Sequence, residues 1–152
     1  MPDDGLGLLT GPRVEPLLRA AVEHQGGQLL SWAIEHVDAA PEHSTTATYL
    51  ATVAWPHGER TELLGVSART GPLLPSDSRA EIFEDGHRRV AVWLYPNDPD
   101  LAGLPRAAFP ERMADTLNAG GVTSHRVAAD DLTLTMVGYR PRRRAVVRVE
   151  VS

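Results

Sequence analysis

From Thr46 to Trp55 the chain alternates: Ala47, Tyr49, Ala51, Val53 and Trp55 take one set of positions, and Thr46, Thr48 and Thr52 the other. A period of two predicts a half-buried strand. The same pattern, with Leu30, Trp32 and Ile34 against Ser31, Ala33 and Glu35, predicts an earlier strand over 30–35. Pro56-His57-Gly58 turns the chain into a third over 61–68. A fourth is predicted over 89–95, paired with 80–84 through Asp85-Gly86, after a Gly/Pro-rich loop at 71–78. Ahead of these strands the period changes to that of a helix. Pro12 suits its first turn, Val14, Leu17, Leu18, Ala21 and Val22 fall on one side, and Gly26-Gly27 stops it.

One helix followed by consecutive antiparallel strands is the order of an α+β domain in which a curved sheet wraps a single helix, the cystatin-like order. Beyond Pro96 the pattern loosens. A short helix is predicted over 110–117, with Met113 and Leu117 on one face and Gly120-Gly121 as its stop. Strands are predicted near 122–128, 132–139 and 145–151. The expected division is a cap-like domain at 1–105 and a second region at 106–152. Val147, Val149 and Val151 alternate with Arg148, Glu150 and Ser152 up to the last residue, and no turn or cap closes that strand. The expectation is an edge strand or, preferably, the front part of a longer protein.

Composition removes several chemistries. The 15 basic residues are all arginine, so no lysine is present to hold a phosphate, form a Schiff base or bind nucleotide in the manner of kinases. The absence of cysteine excludes disulfides, thiolate nucleophiles and cysteine-bound zinc. His24, His36, His43, His57, His87 and His125 show no metal-ligand spacing. Ser67 lacks the second glycine of a nucleophile elbow, since Arg69 stands there. The glycines at 5, 7 and 11 have no strand before them, and Asp98-Pro99-Asp100 reads as turn chemistry rather than a cation site. No apolar run approaches a membrane span, and the acidic start Met1-Pro2-Asp3-Asp4 is unlike a secretory signal. No membrane association and a cytoplasmic location are expected.

Charge is concentrated. Residues 122–152 carry a net +3 in a chain of net −5. A local basic patch on an acidic chain suits a discrete anion better than nucleic acid, and no nucleic-acid partner is expected. Most of the patch is Arg140-Pro141-Arg142-Arg143-Arg144, set between two strand patterns at a hairpin tip, where guanidinium forks can grip phosphate oxygens. A solvated charge run is the plainer alternative.

Tyr139-x-Pro141-x-Arg143-Arg144-Ala145-Val146-Val147-Arg148 resembles a segment near the N-terminus of actinobacterial phosphotransferases of the aminoglycoside phosphotransferase, or kinase-like, family, which includes maltokinase-like relatives. The run from Val92-Trp93-Leu94-Tyr95-Pro96 through Asp98-Pro99 to Leu104 is similar to a second segment of the same proteins. Ala102 stands where proline is expected, and Arg142 where glycine is usual. The resemblance implies a cap-like domain followed by the first hairpin of a kinase N-lobe. It further implies ATP and magnesium as cofactors of the full-length protein, a small-molecule phosphate acceptor, and Arg140, Arg142, Arg143, Arg144 and Arg148 as nucleotide-binding candidates. The family's nucleotide lysine, catalytic aspartate and metal aspartate lie beyond the matching segments. The isolated chain is therefore expected to be inactive and to act with the C-terminal part of its own chain. The competing reading is a stand-alone cystatin-like or NTF2-like module that binds a small ligand, with Trp32, Trp55 and Trp93 as pocket walls, or that forms a homodimer through an open strand edge.

Overall fold

A computed structural model of the chain describes residues 6–40, 44–70, 80–85, 88–101, 103–121 and 124–152. The predicted loop at 71–78 lies outside them. The chain forms two compact units, Met1–Pro99 and Asp100–Ser152.

The first unit is α+β: helical segments on one face of a five-stranded antiparallel sheet. α1 (Leu6–Thr10) and a 3-10 turn (Pro12–Val14) lead into α2 (Glu15–His24). The sequence pattern missed α1, a single turn too short to show a period, whose Leu8 and Leu9 are nevertheless buried. Gly26, at φ 92°, follows α2, and the Gly27 N–H returns to the Val22 carbonyl at 3.0 Å. That left-handed position is where glycine costs least. The strands are β1 (Gln28–Ala40), β2 (Ser44–Trp55), β3 (Gly58–Thr70), β4 (Glu81–Asp85) and β5 (Arg88–Leu94), in the order β1-β2-β3-β5-β4.

The buried core lies between α1, α2 and one sheet face. Leu8, Leu9, Val14, Leu18 and Val22 meet Leu29, Tyr49, Val53, Leu64, Val66, Val90 and Val92. Polar ties fix the helix to both sides of the sheet. Glu15 accepts the Trp32 indole N–H at 2.9 Å, Arg19 donates to the Leu29 carbonyl at 3.2 Å, and His24 lies 3.1 Å from Glu81 on β4.

β1 departs from its simple alternation. Its register against β2 shifts between Leu29 and Ser31 and again between Ile34 and His36, so Leu30 and Glu35 are bulge residues. Leu29, not Leu30, joins the core, and Leu30 is left 46% exposed. Bulges also bend an edge strand away from pairing with another chain.

On the second sheet face Thr48, Ser67, Ala91 and Trp93 are buried. Trp93 stands opposite Gly65, and its indole occupies the space that a Gly65 side chain would fill. Trp32 meets Tyr49 edge-on at 5.7 Å between ring centres, and Trp55 donates to Glu62 at 3.1 Å. Each indole is thus engaged in packing or a hydrogen bond.

Thr45 is an exception within the core: it is fully buried and its Oγ1 has no hydrogen-bond partner. Thr45→Val keeps the branched shape and removes the unsatisfied hydroxyl. It should stabilise the unit by about 1 kcal/mol. A rise of a few degrees in thermal midpoint is the expected result; a fall would show that the hydroxyl is satisfied.

The second unit contains α3 (Leu104–Ala108), α4 (Pro110–Gly120) and a hairpin of β6 (Leu132–Arg140) and β7 (Arg144–Val151). α4 runs a turn beyond the predicted 110–117 and ends at Gly121, at φ 62°. The strand predicted near 122–128 is not formed at 124–128, and 122–123 lie outside the described residues. Asn118 replaces a partner strand there: its Nδ2 donates to the Val127 carbonyl and its Oδ1 accepts the Val127 N–H, both at 2.8 Å.

Candidate functional site

The hairpin that carries the arginines is built on a small apolar base. Ala114, Val127 and Leu132 are buried together, with Met113, Leu117 and Val149 against them. Its open end is tied as well, since the Ser152 N–H donates to the Asp131 carbonyl at 2.8 Å and Asp131 accepts the Ala128 N–H at 3.0 Å. A groove of about 490 Å³ beside α4 is lined by Glu111, Asp115, Asn118, Arg126, Val127 and Asp131. Two of its polar side chains, Asn118 and Asp131, are already committed to backbone groups.

Pairing decides which residues share a face. Thr133 and Thr135 stand opposite Glu150 and Arg148. Val137 is then an extra residue, because the register shifts between Met136 and Gly138, and Arg140 comes to stand opposite Arg144. On β7, Arg144, Val146, Arg148 and Glu150 alternate with Ala145, Val147 and Val149, so Arg140, Arg144 and Arg148 lie on one side of the ribbon. All three are exposed, as is Arg143 in the turn. Arg148 lies 4.0 Å from Glu150, with both side chains about 60% exposed, a separation and exposure at which an ion pair contributes little.

Arg142 behaves differently. The Arg143 N–H closes the turn on the Arg140 carbonyl at 2.9 Å, with Pro141 second and Arg142 third, at φ 63°. This is the type II pattern, whose third position favours glycine. A side chain there costs about 1–2 kcal/mol. The Arg142 guanidinium meets Asp100 through Nε at 2.8 Å from Oδ2 and Nη2 at 3.4 Å from Oδ1, and its side chain is only 10% exposed. Hydrogen bonds between charged groups contribute about 1.5–3 kcal/mol, enough to offset the backbone strain. Of the five candidate arginines, Arg142 therefore ties the turn to Asp100 and is largely buried, whereas Arg140, Arg143, Arg144 and Arg148 are exposed.

Asp100 is the residue that sequence reasoning missed in this role. It was legible only as half of a turn motif, and its partner is 42 residues away. Among the described residues no group of three or more His, Cys, Asp or Glu side chains is placed to hold a metal ion. Tyr95 and Tyr49 have phenol pKa values raised by burial, and both belong to the first unit. Comparison with protein-family models, curated proteins and solved structures finds no match for this chain.

Proposed function

We propose that this chain is the N-terminal portion of an ATP-dependent small-molecule phosphotransferase of the kinase-like class, not catalytic by itself. The helix-and-sheet unit then serves as a curved, cystatin-like cap, and β6–β7 as the first hairpin of a kinase N-lobe that covers nucleotide phosphates. The observation that carries the reading is the hairpin itself. The segment that resembles the family, from Tyr139 to Arg148, is a strand–turn–strand with Arg140, Arg144 and Arg148 exposed on one side.

The residues present fit the phosphates of ATP. Guanidinium groups bind phosphate oxygens in pairs and remain charged at any physiological pH. Bound ATP would supply the transferable phosphoryl group, and the arginines would orient and neutralise its phosphate chain. Magnesium has no donor set among the described residues, so its ligands are assigned to the C-terminal part, together with the nucleotide lysine and catalytic aspartate. The small-molecule acceptor and a cytoplasmic setting belong to the same reading.

The decisive experiment reads the gene and then the activity. The reading frame should continue past Ser152 into a lysine-bearing strand and an aspartate loop, and the 152-residue chain should transfer no phosphate from ATP to sugars, amino sugars or choline. A stop codon directly after Ser152, or turnover by the chain alone, overturns the proposal.

A further inference from the structure

We infer that β7 is a strand-pairing edge to which a second copy of this chain adds, antiparallel and across a two-fold axis at Val149, making a four-stranded sheet β6-β7-β7-β6. This goes beyond the phosphotransferase reading, which uses the arginine side of the hairpin and not its backbone edge.

The edge is open. β6 and β7 make a sheet of two strands, and among the described residues no third strand pairs with β7. Ser152 points its N–H toward β6, where it meets the Asp131 carbonyl. Backbone direction alternates along an antiparallel strand, so Val147, Val149 and Val151 turn their N–H and C=O groups away from β6. Such an edge is a template for another strand unless something blunts it. β7 runs for 8 residues with no proline and no lysine, and the extra residue of the hairpin, Val137, lies on β6.

Charge selects a second copy as the occupant. Arg144, Arg148 and Glu150 share the outer side of β7 and are exposed. A two-fold axis at Arg148 sets Arg148 against its own copy, an axis at Glu150 does the same to Glu150, and an axis at Val146 sets Arg144 against Arg148. Like charges directly opposite one another disfavour all three. An axis at Val149 instead sets Arg148 against Glu150 of the second copy, and does so twice. Those pairs replace the 4.0 Å approach of Arg148 to Glu150 within one strand, which contributes little.

The same axis suits the backbone and the apolar side. Val147 stands opposite Val151 of the second copy, and Val149 opposite its own counterpart. Val151, 48% exposed in the single chain, gains an apolar neighbour. The outward groups of Val147, Val149 and Val151 close about six hydrogen bonds across the axis. An axis at Val147 also avoids like charges, by pairing Arg144 with Glu150, but it sets Ala145 against Val149 and leaves Val151 beyond the paired strands. The Val149 register buries more apolar surface.

The test is sedimentation equilibrium of the 152-residue chain, up to about 500 μM and at about 0.15 M salt, where non-specific attraction is screened. One strand pair is a small interface, so a monomer–dimer equilibrium with a dissociation constant of about 1–100 μM is expected. R148E and E150R should each weaken it at least tenfold, and the R148E/E150R double variant should return to within about threefold of wild type. V151P removes an outward N–H that β6 does not use, and should also weaken the dimer at least tenfold. Circular dichroism and thermal midpoints check that each variant is folded. A monomer at the highest concentration, or unchanged association in folded V151P, overturns the edge. No recovery in the double variant, or a loss in R144E with R148E unchanged, overturns the register. A monomer leaves the phosphotransferase reading where it stands, since the gene and the phosphate-transfer assay decide that reading separately.

Discussion

Gly65→Ala should destabilise the first unit by about 3 kcal/mol, at the upper end for overpacking by one methyl group. A Cβ at this position collides with Cε2, Cζ2 and Nε1 of Trp93, and the indole, only 2% exposed, has no free space to enter. Gly65 and Trp93 are direct partners across β3 and β5, so relief requires the two strands to separate or the indole to leave. Loss of about 10 °C in thermal midpoint, with a red-shifted tryptophan emission, is the result to look for. The same substitution in a Trp93→Leu background should cost much less, because the colliding ring is gone. Equal costs in the two backgrounds would show that the Gly65–Trp93 contact is not the cause.

Tyr49→Phe should cost about 2 kcal/mol near neutral pH. The Tyr49 hydroxyl donates to the Leu9 carbonyl at 2.6 Å, and both residues are fully buried, so the variant leaves that carbonyl without a partner. The bond fastens the short α1 to β2, an inner strand of the sheet. Burial raises the Tyr49 phenol pKa well above its ordinary value, because the ionised form would lose its water. The folded state therefore holds its proton more tightly than the unfolded state does. The stabilisation is fully present below the unfolded value near 10 and is lost as pH rises beyond it. The stability gap between wild type and Tyr49→Phe should narrow from pH 9 to pH 11 in denaturant titrations. A constant gap would place the alkaline loss elsewhere, with Tyr95 the next candidate because burial raises its pKa too.

Most strands were legible because their signal is local. On β2 the alternation is reproduced in which face each residue takes: Ala47, Tyr49, Ala51 and Val53 join the core under the helices, while Thr48 is buried on the other face. α2 was legible for a similar reason, since Leu18, Ala21 and Val22 share one face and Gly26 follows them. β1 was misread by one position at Leu30, because a bulge is a property of two strands in register and has no signature in one of them. The predicted strand at 122–128 failed at 124–128 because Asn118, a helix side chain, satisfies the Val127 backbone there. In the candidate site the hairpin and its arginine-rich turn could be read from Pro141 and the flanking alternation. That Arg142 is committed could not, since it finds Asp100 across 42 positions.

The sequence by itself determined the α+β class, the order of the main elements, the placing of positive charge in one hairpin and the exclusion of lysine and cysteine chemistry. Those properties depend on composition and on periods that span a few residues. The tertiary structure alone decided that Leu29 rather than Leu30 enters the core, that Trp93 seals Gly65, and that a bulge at Val137 brings Arg140 into line with Arg144 and Arg148. It also decided that Arg142 is held by Asp100. Each of these depends on which strand lies beside which, and in what register, so no single stretch of chain contains the information.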